Sequence, residues 1–158
     1  VTAFSLAEFK TLLKSVTDAI AECPLDKDLE DALNEQFPPS APVFEDIKAA
    51  CLAGISSGDL CAREAGGIAF GRPLDPGPDL AGYSVDVVRM KDVVGPHHRH
   101  PRGEIDLIMP LDDTAKFDGK GAGWMVYGPG SAHKPTVTDG DAIVLYLLPQ
   151  GEIEFTRH

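Results

Sequence analysis

The spacing of the apolar residues changes once along this chain, at Gly58, and that change limits the folds open to it. Ahead of Gly58 the spacing is helical. Ser5-Leu6-Ala7-Glu8 has the form of a capping box, and Leu6, Phe9, Leu12, Leu13, Val16 and Ile20 then fall on one face, which predicts a helix over about residues 5–22 ended by Pro24. Leu29, Ala32, Leu33 and Phe37 mark a shorter helix that stops before Pro38-Pro39. A third begins near Ser40, carries Pro42 in its first turn and places Phe44, Ile47, Cys51 and Ile55 on one side before the Ser56-Ser57-Gly58 stop.

Beyond Gly58 the apolar residues come in short runs between turn signals; of the 16 glycines only Gly54 and Gly58 lie before this stretch. Strands are expected at Gly67–Phe70, Tyr83–Val94, Glu104–Met109, Gly123–Tyr127, Ala142–Leu148 and Ile153–Phe155. The proline-rich stretch Arg72–Leu80 reads as a connection. Many short strands with Gly/Pro turns predict a barrel or sandwich of the jelly-roll kind. The fold class expected is α+β, with a segment of about three helices over residues 1–58 packed on a small β-barrel over residues 59–158.

With 158 residues, 43% of them hydrophobic, the chain can bury one core. Its net charge of -11 would repel a nucleic-acid backbone, so no nucleic-acid partner is expected. No run of eighteen apolar residues occurs and the first residues lack the basic and then apolar order of a signal peptide, so no membrane partner is expected and a cytoplasmic location is the default. Cys23, Cys51 and Cys61 are odd in number and widely spaced, which suits small, partly buried core residues better than disulfides or a thiolate zinc site.

The chemistry concentrates in His97–Glu104, HHRHPRGE, which holds three of the five histidines. In a strand, residues two apart face the same way, so His98 and His100 would aim at one point while His97 and Arg99 face away. Glu104 has the same parity, although Pro101 and Gly103 interrupt the strand. A fourth ligand candidate, His133, follows the tight Pro129-Gly130 turn, which can return the chain beside the first strand. Three imidazoles and one carboxylate suit one divalent first-row transition metal (Fe, Mn, Zn, Ni or Co), with positions left for water or substrate.

His98-x-His100-x3-Glu104, preceded by Gly95, resembles the first motif of the cupin superfamily, and Gly123-x5-Pro129-Gly130-x2-His133 resembles the second. The glycine follows Pro129 directly, Gly95 lies close to His98 and no asparagine follows His133, departures that touch the turns more than the ligands. The longer strings GPHHRHPRGEIDLIMPLD, GAGWMVYGPGSAHKPTV and VLYLLPQGEIEF resemble the small cupin family that includes 4-hydroxylaminobenzoate lyase. That resemblance implies a metal-dependent lyase converting 4-hydroxylaminobenzoate to 3,4-dihydroxybenzoate and ammonia in bacterial aromatic degradation.

Such a reaction needs water and proton transfer, for which His97, Tyr127 and Glu64 are the catalytic candidates beside the metal ligands. A small aromatic carboxylate substrate also needs a cation in this acidic chain. From Val87 to Arg102 four cations, Arg89, Lys91, Arg99 and Arg102, face one carboxylate, Asp92. Arg89 is favoured as the anchor over Arg102 and Lys134, because a planar guanidinium on a strand ahead of the histidines can grip a carboxylate with two bonds. Trp124, Met125 and Phe70 are candidates to wall the ring. The same ligands would serve an iron-dependent dioxygenase acting on a catechol-like substrate, and a cupin that binds a small molecule without turnover is a third reading. The helices either close one end of the barrel or form a homodimer contact.

Overall fold

Each helix forms where its cap and its apolar face agree. The computed structural model describes residues 3–156. Helix α1 (Leu6–Ile20) starts at Ser5, whose hydroxyl accepts the Glu8 N–H at 3.2 Å, and buries Phe9, Leu13, Val16 and Ile20. Helix α2 (Lys27–Gln36) begins ahead of its apolar pattern because the Asp26 carboxylate accepts the Leu29 N–H at 2.9 Å. Helix α3 (Pro42–Ser57) has Pro42 in its first turn and ends at Gly58, whose φ of 86° is a left-handed cap. None of these helices is long and apolar enough to cross a membrane.

The strands are β1 (Arg63–Ala65), β2 (Ile68–Leu74), β3 (Tyr83–Val94), β4 (His98–His100), β5 (Glu104–Pro110), β6 (Lys116–Phe117), β7 (Gly123–Tyr127), β8 (Ser131–His133), β9 (Thr136–Pro149) and β10 (Glu154–Phe155). They form two antiparallel sheets. The larger runs β1-β2-β3-β9-β5-β7, with β6 added to the far end of β9; the smaller is β10-β4-β8. The two sheets face each other without joining into one hydrogen-bonded cylinder. The small sheet stays short because Pro96, Pro101, Pro129 and Pro135 flank its strands, and proline cannot donate to a ladder. Part of the expected Arg72–Leu80 connection is strand and part, Pro78–Leu80, is a 3-10 turn.

The central strands of the large sheet, β5 and the second half of β9, are buried on both faces, which explains the continuous apolar run of β9. Ile143, Leu145 and Leu147 of β9, Ile105, Leu107 and Met109 of β5, and Val85 and Val87 of β3 pack with the helices. The alternate residues Val144, Tyr146 and Leu148, Ile108, and Val88 and Met90 face the space between the sheets, where Glu104 and Asp106 share the parity of Ile108. Cys51 is buried under the helices and Cys61 half-buried, whereas Cys23 is exposed and takes no part in a core.

Strand β7 is an edge, and side chains of α2 occupy its unpaired backbone groups. Asn34 Oδ1 accepts the Trp124 N–H at 2.8 Å while its Nδ2 donates to the Trp124 carbonyl at 2.9 Å. Glu30 Oε1 accepts the Val126 N–H at 2.9 Å. We expect Asn34→Ala to lower stability by about 1–3 kcal/mol, since the Trp124 N–H loses its partner while the Trp124 carbonyl keeps Lys120 Nζ as a donor at 2.5 Å. Urea denaturation measures this, and a loss below about 1 kcal/mol would mean that water replaces the clamp.

Candidate metal centre

Two tight turns bring the four sequence-selected ligands together. The Pro129-Gly130 turn lays β8 against β4, with the Gly130 N–H donating to the His100 carbonyl at 2.8 Å and Gly130 at φ 83°. His98 and His133 become cross-strand partners. The Pro101–Gly103 turn then reverses the chain into β5, so Glu104 is not a continuation of the histidine strand but the first residue of the facing sheet. Gly103 has φ 92°, and a Cβ there would stand 2.7 Å from the Tyr127 carbonyl, so this tight approach requires glycine.

His98, His100 and Glu104 are fully or almost fully buried, and His133 nearly so. Glu104 Oε1 lies 3.5 Å from His98 Nε2; Glu104 Oε2 lies 3.3 Å from His100 Nε2 and 3.6 Å from His133 Nε2. His98 Nε2 and His133 Nε2 stand 3.0 Å apart, and all four donor atoms lie within 4.8 Å of one another. Ligands about 2.1 Å from a shared ion stand roughly 3.0–3.4 Å apart at neighbouring positions. Both Glu104 oxygens and His100 Nε2 are buried without a hydrogen-bond partner among the described residues. Buried polar atoms rarely stay unpaired, and a cation satisfies all three at once. The donor set therefore fits a divalent first-row metal.

The outer nitrogens of two histidines are held by acceptors. Ser131 Oγ donates to the Gly128 carbonyl at 2.6 Å and lies 2.9 Å from His100 Nδ1, which leaves that nitrogen to donate. Asp118 Oδ2 lies 2.5 Å from His133 Nδ1, and a carboxylate only accepts. Both rings thus turn an Nε2 lone pair to the centre once that position is unprotonated. Asp118 also accepts the Thr136 N–H at 2.9 Å and the Tyr127 hydroxyl. Burial by itself would raise the Glu104 carboxyl, but the imidazoles facing it hold it well below the usual carboxylate range. Asp106 beside it is pushed well above the usual carboxylate range by burial and by the Glu104 charge.

The other sequence candidates separate by strand parity. Tyr127 is brought to the cluster, its ring 4.4 Å from that of His133. His97 faces the other side of β4, where Nδ1 meets the Thr156 hydroxyl. Glu64 is exposed on β1, with parity opposite to Arg63 and Ala65, which line the cavity described below. The positive stretch seen in sequence is neutralised in space: Arg89 forks onto Asp141 at 2.8 and 3.3 Å, Arg99 meets Glu154 at 3.1 Å and Arg102 meets Glu152 at 2.9 Å. Arg89 also shares the parity of Val85 and Val87, which pack with the helices, and Lys134 is exposed after β8. Trp124 packs with the helices, its indole N–H donating to the Phe37 carbonyl at 3.0 Å. Met125 packs toward the space between the sheets.

A cavity of about 820 Å³ reaches the cluster at His98. That volume is typical of small-molecule sites, which run roughly 300–1,000 Å³. Ile68, Phe70, Val88 and Met90 form one wall and Ile153 and Phe155 another. Tyr146 also lines it, with its ring 6.4 Å from that of His98. Sequence reasoning missed Asp106, Asp118, Tyr146 and the cavity cations Arg63 and Arg72. Parity with Glu104 was an available signal for Asp106; Asp118 gave none, because its role depends on a turn meeting β8 from outside.

The His133 ring sets a pH dependence. Burial lowers its pKa, but Asp118 and Glu104 outweigh that and raise it to about 9 in the metal-free protein. A metal must displace that proton, so affinity should rise about tenfold per pH unit up to about pH 9 and then level. Calorimetric titration in buffers of different ionisation enthalpy should count one proton released, and a pH-independent affinity would refute the assignment. Asp118→Asn should weaken metal binding about 10- to 100-fold with the circular dichroism spectrum retained. An unchanged dissociation constant would show that Asp118 does not orient the ring.

A profile of the PnbB, 4-hydroxylaminobenzoate lyase, family matches residues 11–155. A 4-hydroxylaminobenzoate lyase from Nocardioides sp. (strain LMS-CY) is 31% identical over 138 residues, covering 82% of this chain and 82% of the relative. One from Pseudomonas putida is 29% identical over 144 residues, covering 80% of this chain and 82% of the relative. Among solved structures the chain is similar to an RmlC-like cupin protein from Ralstonia eutropha JMP134, at TM-score 0.45 and 11% identity, over 61% of this chain and 64% of that one. The profile spans nearly every element from α1 to β10, including both turns that assemble the cluster, and the chain belongs to the 4-hydroxylaminobenzoate lyase family.

Proposed function

We propose that this protein is a metal-dependent lyase that converts 4-hydroxylaminobenzoate to 3,4-dihydroxybenzoate and ammonia. One observation carries the reading: the buried His98, His100, Glu104 and His133 cluster stands at the end of an apolar cavity, in a chain of this family. The overall change consumes one water and releases one ammonia, with no external oxidant. The N–O bond breaks with loss of water, water adds to the ring carbon beside the nitrogen, and hydrolysis of the resulting imine releases ammonia and leaves a ketone that tautomerises to the catechol.

A divalent metal held by His98, His100, Glu104 and His133 would supply Lewis-acid polarisation or a water of lowered pKa. The chain's own residues supply the rest. Phe70, Val88 and Met90 take the ring and exclude bulk water. The Tyr146 hydroxyl, beside His98 on the cavity wall, donates to the hydroxylamine oxygen as the N–O bond breaks. Its pKa is raised well above the ordinary value by burial and by the surrounding carboxylates, which keeps it a donor. Tyr127 is tied to Asp118 and serves the histidine side of the cluster instead.

Metal-loaded protein incubated without oxygen with 4-hydroxylaminobenzoate should form ammonia and 3,4-dihydroxybenzoate in equal amounts. No product under those conditions, together with oxygen-dependent consumption of a catechol, would replace this reading by a dioxygenase. Tyr146→Phe should lower kcat about 100-fold with metal content unchanged. Full activity of that variant would remove Tyr146 from the proton path.

A further inference from the structure

Resting on that reading, we infer that Arg63 anchors the carboxylate of the substrate at the end of the cavity remote from the histidines. An anion entering a chain of charge -11 needs a local cation with donors to spare. Among the described residues two cations line the cavity, Arg63 and Arg72. Arg72 is committed: its Nε and Nη2 fork onto Asp86 at 2.8 and 3.2 Å, and Nη2 also donates to the Gly151 carbonyl at 3.2 Å. Its charge is answered by Asp86, itself a wall residue, so the pair presents no net charge to a ligand.

Arg63 differs on each count. It makes no ion pair or side-chain hydrogen bond among the described residues, and all five of its N–H donors are available. It sits on β1, directly across from Phe70, which in turn pairs with Val88 on β3. All three side chains line the cavity. Neighbouring strands stand about 4.8 Å apart, so a row from guanidinium to aromatic to aliphatic wall runs across the sheet at the scale of a benzoate. A ring on Phe70 and Val88 with its carboxylate on Arg63 directs the para substituent inward, toward Tyr146 and His98. The cavity's other carboxylate, Asp59, accepts from the Ser57 hydroxyl at 2.7 Å and has no ion-pair partner among the described residues, which makes a second cation necessary for an anionic ligand.

The test separates the anchor from the reaction. Benzoate and benzamide are titrated calorimetrically into the metal-loaded wild type, Arg63→Gln and Arg63→Lys. Wild type should prefer benzoate; Arg63→Gln should lose about ten- to hundredfold in benzoate affinity with benzamide unaffected, and Arg63→Lys should recover part of it. With 4-hydroxylaminobenzoate, Arg63→Gln should raise KM by a similar factor, while KM for phenylhydroxylamine, which has no carboxylate, stays the same. Benzoate affinity equal in wild type and Arg63→Gln overturns the inference, as does loss of the benzoate preference in Arg72→Gln instead. Equal weakening of benzoate and benzamide in Arg63→Gln also overturns it, since that is lost packing. A wild type that turns over neither hydroxylamine but keeps the Arg63-dependent benzoate preference refutes the reaction proposed above and supports the anchor.

Discussion

Glu104 is an ionised carboxylate placed with no exposure to solvent, and much of the molecule follows from what that requires. A carboxylate taken out of water and left unpaired costs far more than a domain's net stability allows. Among the described residues its oxygens have no hydrogen-bond donor and instead face three imidazole nitrogens at 3.3–3.6 Å. Imidazoles can answer it as protonated rings or as neutral ligands of a shared cation. The acceptors on the outer nitrogens of His100 and His133 favour the second, since each leaves Nε2 as the face turned inward. The cluster is thus built in layers: an inner set able to hold a cation, and Ser131 and Asp118 outside it, whose contacts orient two of the rings.

The sheet makes that polar interior affordable by dividing its two faces. Along β5 the residues Ile105, Leu107 and Met109 join the helical core, while Glu104, Asp106 and Ile108 face the other sheet. The three helices seal the first face, so apolar burial there stabilises the fold independently of the site. The second face is left to combine an apolar pocket with a few converging polar groups. This division also explains the fate of the sequence's positive stretch. Arg89, Arg99 and Arg102 lie at positions whose parity or turn points away from the interior, and each meets a carboxylate brought near by folding.

Local rules read well wherever a local cause decides the outcome. The helices fell where capping residues and apolar faces agree, and β3 and β7 span the residues their patterns predict. The His98 and His100 parity was legible for the same reason: a strand's alternation is a property of adjacent residues. Short strands such as β1, β6 and β8 were not legible, because two or three residues carry no period and become strands only when a partner supplies the other half of the ladder. Glu104 had the right parity for a different reason from the one its spacing suggested, since it lies across a turn in another sheet.

Sequence by itself determined the division at Gly58, the α+β class, and the ligand types able to hold a metal, because helical period, alternation and donor chemistry are properties of neighbouring residues. Only the tertiary structure decided which residues surround those ligands. Asp118 reaches His133 from a turn, Tyr146 meets His98 across two sheets, and Arg63 reaches the cavity from the far edge strand. Trp124 went to the helices rather than to the pocket for the same reason: which face of a strand is covered, and by what, depends on residues far away in the chain.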